Sequence, residues 1–353
     1  MSIIIFLIIL SALVLVHEFG HYFSARLFGI RVDEFGLGYP PRAKTLFRRN
    51  ETDFTLNWLP FGGFVKIFGE NPSEENAKSR ESFQSKNRGI QASVLVSGVV
   101  GNFLFAWFLI SLGLMTGLPA PAGVSLPVEN PKTVFTAVLP GLPADEAGIK
   151  AGDVLVSING LKFTTEEASD LISRSSHLLS FKIERGKNAF DVTLAPESGI
   201  IPDRNAIGVE MDSIGVVHLP LYQAFIKGLS ITWQLTLLTA KLLGSFISQA
   251  LVGRADLSAV TGPVGLVGMV GDVSVLGFSH LLVFTALISI NLCLINLLPF
   301  PALDGGRLLF VGIEAITRRP ISPRIFNALN SAGFALLVFL MILITIRDVR
   351  NIF

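Results

Sequence analysis

Apolar residues run along this chain in long uninterrupted blocks. Stretches without a formal charge, long enough for the ~30 Å hydrocarbon core of a bilayer, run from Met1 to Val16 and on into a histidine motif, from Gly89 to Leu118, from Val273 to Leu303 and from Ile325 to Ile346. Each predicts a spanning helix, so the pattern reads as a polytopic α-helical membrane protein with four spans. Two regions follow other rhythms. Across residues 31 to 69, Arg31 to Pro40 is extended and glycine-rich, and Thr45 to Phe47 and then Phe54, Leu56 and Trp58 alternate about Arg49-Asn-Glu-Thr52; that pattern predicts a β-hairpin. Residues 123 to 213 are soluble in character. Val138 to Gly160 reads as strand, helical turn, strand and Asn-Gly turn, followed by a helix over Thr165 to Ser175 and a hairpin, Ser180 to Arg185 with Phe190 to Leu194, about Gly186-Lys-Asn188.

Residues 221 to 256 fit neither rhythm. Lys227, Gln234 and Lys241 recur at helical spacing on one face, and the uncharged stretch between the two lysines is too short to span. The pattern predicts amphipathic interfacial helices, a pair broken near Gly228 or Gly244, with a fifth span as the alternative. The resulting division is 1–118, 123–213, 221–256 and 257–353.

Composition agrees with a membrane protein. Half of the 353 residues are hydrophobic and 16% are charged, below the roughly 25% of soluble domains, and the mean hydropathy is +0.60. A net charge of +1 gives no case for a nucleic-acid partner. Loop cations set the expected orientation. Arg31, Arg42, Lys44, Arg48, Arg49, Lys66, Lys78, Arg80, Lys86 and Arg88 before the second span, and Arg307, Arg318, Arg319 and Arg324 after the third, place those loops in the cytoplasm. Residues 119 to 220 then lie outside. Cys293 is the sole cysteine, which excludes disulfides within the chain. The N-terminal apolar run lacks a basic n-region and a small-residue cleavage site, so it is expected to stay in the mature protein.

The chemistry sits in the wrong solvent. His17-Glu18-Phe19-Gly20-His21 ends the first apolar run, and on a helix its histidines fall one turn apart on one face, able to reach a single tetrahedral ion. Glu18 projects about 100° round from His17, placed to act on a water at the metal as general base. Ionisable groups inside a span are costly unless they pair with each other or with a metal. Zinc needs a third protein ligand. Asp304, which closes Asn296-Leu-Leu-Pro-Phe-Pro-Ala-Leu-Asp304 and ends the longest apolar stretch, is either that ligand or the N-cap of the next helix; His280, Asp272 and Glu314 are weaker candidates without a motif. Asn102, a polar side chain in the second span flanked by Gly98 and Gly101, is either helix-packing glue or part of the site wall. Pro299 and Pro301 break the third span near Asp304, either freeing carbonyls for a substrate or simply ending a helix.

On these residues the chain resembles the site-2 proteases, the intramembrane zinc metalloproteases, and in particular their regulator-of-sigma-E branch. HEFGH, Phe61-Gly-Gly-Phe-Val-Lys-Ile-Phe-Gly-Glu70, Ser97-Gly-Val-Val-Gly-Asn102, Thr261-Gly-Pro-Val-Gly265 and the Asn296-to-Asp304 motif carry the resemblance across nearly the whole length. It implies Zn2+ on His17, His21 and Asp304, with Glu18 as the catalytic residue. It implies substrate contacts from Asn296, Pro299, Pro301, Asn102, Gly62 and Gly63, with residues 31 to 69 as a membrane-associated β region that pairs with unwound substrate. The 123–213 segment resembles a circularly permuted bacterial PDZ domain, α+β and periplasmic or extracellular, whose ligand loop is Ile207-Gly208-Val209. Such a domain either holds a chain end or acts as a bulky filter. Some relatives in the branch carry two such modules; this chain has room for one. The implied activity is cleavage of a single-pass membrane protein, such as an anti-sigma factor or a signal-peptide remnant, within a bacterial inner membrane, after an outer-side protease has trimmed it. The competing classes are an inactive zinc-binding scaffold and another membrane zinc hydrolase such as a prenyl-protein endopeptidase.

Overall fold

The structure is a computed structural model that describes residues 1–70, 79–122, 126–186, 188–201, 204–254 and 260–352. Lys78, in the first cation-rich loop, and Lys187, in the turn expected at 186–188, lie outside the described residues. The chain divides into two units, 1–113 with 221–353, and 114–220.

In the first unit α1 (Ser2–Leu27) leads into a hairpin of β1 (Val32–Arg49) and β2 (Thr52–Ile67), followed by α2 (Arg88–Thr116). The hairpin turns where the sequence predicts. Arg49 pairs with Thr52, and Asn50 and Glu51 between them have φ of 48° and 66°, the positive values that a two-residue turn matched to strand twist requires. Both strands fold over at Pro40-Pro41 and at Pro60 to Gly62. Residues 34–37 therefore find partners on two sides, 63–66 on one and 53–56 on the other, while 42–49 pairs with 52–57 at the far edge. An aromatic ladder crosses the sheet: Tyr22 of α1 packs on Phe35 and Phe54, and Phe47 stacks on Phe54 with ring centroids 4.5 Å apart. Ala25, Ile30, Val32, Ile67, Phe83, Val94 and Leu95 form one buried cluster where α1, the hairpin and α2 meet.

In the second unit β3 (Leu118–Pro121), β4 (Glu129–Val138), α3 (Pro143–Glu146), β5 (Val154–Ile158), α4 (Thr165–Arg174), β6 (Leu179–Arg185), β7 (Asn188–Leu194), β8 (Glu197–Ile201), β9 (Arg204–Ala206) and β10 (Val209–Val217) follow in order. Six strands form one sheet in the order β3-β10-β4-β5-β6-β7, and β8 pairs with β9 separately. The alternating burial of Leu179, Phe181 and Ile183 along β6 feeds a core with Phe135, Ile158, Ala168 and Ile172, as period-2 patterning demands of a one-sided sheet. Thr164 and Glu167 form a reciprocal capping box that starts α4 at the position expected from the sequence. The helix stops at Arg174, one residue short of the expected Ser175. Asp153, whose side chain is 1% exposed, is gripped by Arg185 through two bonds of 2.7 Å.

The first unit resumes with α5 (Leu221–Leu251), α6 (Pro263–Leu276), α7 (Phe278–Leu297), α8 (Asp304–Thr317) and α9 (Pro323–Ile352). Among the described residues four helices are long and apolar enough to cross a membrane: Ser2–Leu27, Arg88–Thr116, Phe278–Leu297 and Pro323–Arg350. Two expectations need correction. Where an amphipathic pair is expected over 221–256, Leu221–Leu251 is one continuous helix, because Gly228 is a packing site rather than a break. A Cβ there would lie 3.2 Å from Ser111 Cα of α2, and the neighbouring Phe225 carbonyl accepts the Trp107 indole N–H at 2.8 Å. The third span does not start at Val273. Gly277, with φ 116°, separates α6 from α7; glycine adopts such a backbone without penalty, and a run of apolar residues gives no sign of it. Asp348 of α9 caps α6 by accepting the Gly265 N–H at 2.9 Å, which gives the Thr261-to-Gly265 motif a place in the fold.

Candidate metal centre

The α1–α2 crossing is built on glycines. A Cβ at Gly20 would fall 3.0 Å from Gly98 Cα, one at Gly101 would fall 2.9 Å from the Val16 carbonyl oxygen, and one at Gly98 would fall 2.8 Å from Cε1 of both His17 and His21. Small residues let two helices approach to this depth. The imidazoles are packed directly against the α2 backbone, and His17 and His21 are 8% and 6% exposed.

The opposing wall comes from the segment after α7. That helix ends at Leu297, Pro299 and Pro301 occupy a non-helical link, and Ala302 has φ 76°. The Ala302 N–H donates to Asn330 Oδ1 of α9 at 3.1 Å. At Gly306 a Cβ would lie 2.6 Å from the Phe300 carbonyl carbon, so the paired glycines after Asp304 let the start of α8 fold back on this link. Asp304 is thus the first residue of α8, and its carboxylate is turned to the histidines rather than capping its own helix: α8 has no side-chain cap.

Three donor atoms converge. His17 Nε2 lies 2.9 Å and His21 Nε2 3.2 Å from Asp304 Oδ2, and the two Nε2 atoms are 3.2 Å apart. Ligands about 2.0–2.1 Å from a tetrahedral zinc stand roughly 3.3 Å from one another, so this triangle fits one face of that tetrahedron. Among the described residues His17, His21 and Asp304 are the group that can hold a metal. His280 and Asp272 stand outside it, and Glu314 is paired with Arg88 at 2.8 Å. Each ring is also approached from α2: His21 Nδ1 by the Val94 carbonyl at 2.8 Å, and His17 Nδ1 by the Asn102 amide at 3.4 Å.

Glu18 is held from another direction. Its Oε2 accepts the backbone N–H of Val65 at 3.0 Å. Gly62 and Gly63 bring β2 alongside α1 to make that bond: a Cβ at Gly62 would lie 3.1 Å from Val14, and at Gly63 3.4 Å from Leu15. Just beyond β2, Glu70 forms an ion pair with Arg307, one turn after Asp304. Asn296 sits in the last turn of α7, half-buried, with no side-chain hydrogen bond among the described residues. In the other unit the Ile207 and Gly208 carbonyls accept the Ala144 and Leu139 N–H groups, and Gly208 has φ 79°.

Sequence reasoning did not find Val94, Val65 or the Arg307–Glu70 pair. Two of these are backbone groups that carry no residue signature. The third was present only as opposite charges far apart in the chain.

Helices that cross a membrane and bring a paired-histidine motif against a distant aspartate define a membrane-embedded metallopeptidase. The sequence profile of peptidase family M50 matches residues 5–340. The zinc metalloprotease RasP of Oceanobacillus iheyensis is 29% identical over 438 aligned positions, covering 100% of this chain and 99% of the relative. The regulator of sigma-E protease RseP of Escherichia coli K12 is 29% identical over 444 positions, covering 97% of each. RasP of Geobacillus kaustophilus is 28% identical, covering 100% and 98%. This chain belongs to peptidase family M50, the site-2 proteases, and is a zinc metalloendopeptidase.

Proposed function

We propose that this protein cleaves a single-pass membrane protein within its membrane segment, with Zn2+ held by His17, His21 and Asp304 and with Glu18 as general base and acid. The observation that carries the reading is the convergence of three ligand atoms within 3.2 Å of one another, from α1 and α8, beside a carboxylate that is not among them. Zinc, when bound, supplies a Lewis acid that activates water and polarises the scissile carbonyl. The protein does the rest. Glu18, oriented by the Val65 N–H, takes the proton of the attacking water and delivers it to the leaving amine.

A transmembrane helix hides its carbonyls in its own hydrogen bonds, so it must unwind before cleavage. The β1–β2 sheet supplies strand partners beside α1, and the irregular link carrying Pro299 and Pro301 supplies non-helical backbone beside Asp304; Asn296, one turn above that link, is assigned to substrate. In this reading the protein lies in a bacterial inner membrane with its site near the cytoplasmic side. Residues 123–213 form a PDZ-type domain on the outer side, with Ile207-Gly208-Val209 as its ligand loop. The strand, turn and helix order of the 114–220 unit supports that assignment. A substrate of the anti-sigma-factor kind, trimmed first on the outer side, fits this arrangement.

The test is a purified, zinc-defined protein with a membrane-segment substrate. Glu18→Gln is expected to keep stoichiometric zinc and lose cleavage by a factor of about 10²–10⁴. Cleavage retained by this variant refutes Glu18 as the general base, and a wild type that binds zinc without cleaving favours the scaffold alternative.

A further inference from the structure

His17 and His21 meet α2 through their Nδ1 atoms. At His21 the partner is the Val94 carbonyl, 2.8 Å away. A carbonyl can only accept, so His21 carries its proton on Nδ1 and turns the Nε2 lone pair toward Asp304. His17 must adopt the same tautomer for its Nε2, 2.9 Å from Asp304 Oδ2, to present a lone pair to the same point. Its Nδ1 then needs an acceptor, and the group that faces it is the Asn102 amide.

The amide stands with Nδ2 3.4 Å from His17 Nδ1, which sets one donor against another. Among the described residues its Oδ1, meanwhile, is buried without a hydrogen-bond partner. Asn102 is fully enclosed, and Ser289 of α7 donates its hydroxyl to the Asn102 main-chain carbonyl at 2.8 Å. A half-turn about the Cβ–Cγ bond, which changes no atom's place by more than the exchange of the two amide ends, puts Oδ1 opposite the Nδ1 proton. The orphaned acceptor and the unmatched donor then satisfy each other.

We propose that Asn102 is a positioning residue of the metal centre: its Oδ1 accepts from His17 Nδ1–H and fixes the tautomer that directs Nε2 to the metal. This rests on the reading of His17 as a ligand, and it replaces both earlier readings of Asn102, helix glue or substrate wall. Val94 and Asn102 lie eight residues apart on α2, about two turns, so one helix face orients both histidines.

The test compares zinc dissociation constants of full-length detergent-purified protein, by competition with a chromogenic chelator. Asn102→Leu, similar in size but without an acceptor, is expected to weaken zinc 10- to 100-fold. Asn102→Asp, which can only accept, is expected to stay within about threefold of wild type or to bind more tightly, as a carboxylate behind a histidine ligand does. Wild-type affinity in Asn102→Leu, or an equal loss in both variants, overturns the inference. Should Asn102→Leu fail to fold, the zinc-loaded wild type gives the answer: a hydrogen-bonded His17 Nδ1–H proton resonance in 15N-histidine-labelled protein supports the inference and its absence overturns it. His21→Ala is measured alongside. If it binds zinc as wild type does, the site reading fails and the inference with it; if it loses zinc while Asn102→Leu does not, the inference alone fails.

Discussion

Gly98→Ala tests the packing logic of the centre with a single methyl group. The added Cβ would meet His21 Nε2 most closely and lie 2.8 Å from Cε1 of both His17 and His21, against an optimum of about 3.5–4.0 Å between carbon atoms, a shortfall of roughly 0.7 Å at the His17 ring and more at the His21 ring. The rings have little room to yield. His21 is tied to Val94 one turn earlier on the same helix, and helix separation is set by Gly20 and Gly101 on either side. Overpacking of this kind costs about 1–3 kcal/mol. Metal–ligand distances tolerate only about ±0.2 Å, so the metal-free protein can rotate its imidazoles away while the zinc-bound protein cannot. Most of the cost therefore falls on zinc binding, about 5- to 150-fold at 1.4 kcal/mol per decade. Chelator competition on the purified protein measures it. Gly244→Ala, on α5 where a Cβ meets nothing within 4 Å, is the control and should leave zinc affinity unchanged. Wild-type zinc affinity in Gly98→Ala would refute the argument that glycine is required by the histidine rings.

The 114–220 unit and the ion pairs offer further tests. Arg185→Ala removes two charge-assisted bonds from the buried Asp153 carboxylate and leaves it the Lys150 N–H, and should cost about 1–3 kcal/mol, read as early loss of hydrogen-exchange protection in β5 and β6; unchanged protection would show that the pair contributes nothing. Glu70→Arg and Arg307→Glu should each weaken zinc binding and activity, and the double exchange should recover most of both, with a coupling of roughly 0.5–3 kcal/mol; no recovery would mean that the pair does not tie β2 to α8. The Thr164 backbone N–H and hydroxyl hold the Glu167 carboxyl below its usual range. Its capping contribution is therefore present above the unfolded value near ~4.3 and is lost as pH falls through the depressed folded value. Glu167→Gln should flatten that acid-side decline in α4 protection, and an identical pH profile would refute the linkage.

Local features were legible where local chemistry decided them. The Asn50-Glu51 turn, the helix beginning at Thr165 and the apolar blocks of α1, α2 and α9 follow from side-chain propensity and periodicity within a few residues. The errors arose where neighbours distant in the chain decided. Gly228 reads as a helix breaker until Ser111 of α2 is seen to need its missing side chain, and Gly277 is lost in an apolar run because hydropathy does not report φ.

The sequence by itself determined the reagents: two histidines one turn apart, a glutamate between them, an aspartate at the head of a glycine pair, and membrane segments to carry them. Their types and spacing are properties of the chain, and a helix enforces the i, i+4 relation wherever it forms. Only the tertiary structure decided direction. Whether an imidazole offers Nδ1 or Nε2 depends on what stands behind the ring, and Val94 and Asn102 stand there because glycines let α2 cross α1 at close range. Whether Glu18 is free or held depends on a backbone amide of β2. Hydrogen bonds are directional and short, so the choice between a cluster of polar residues and a metal centre is made by the packing of helices and strands far apart in the chain.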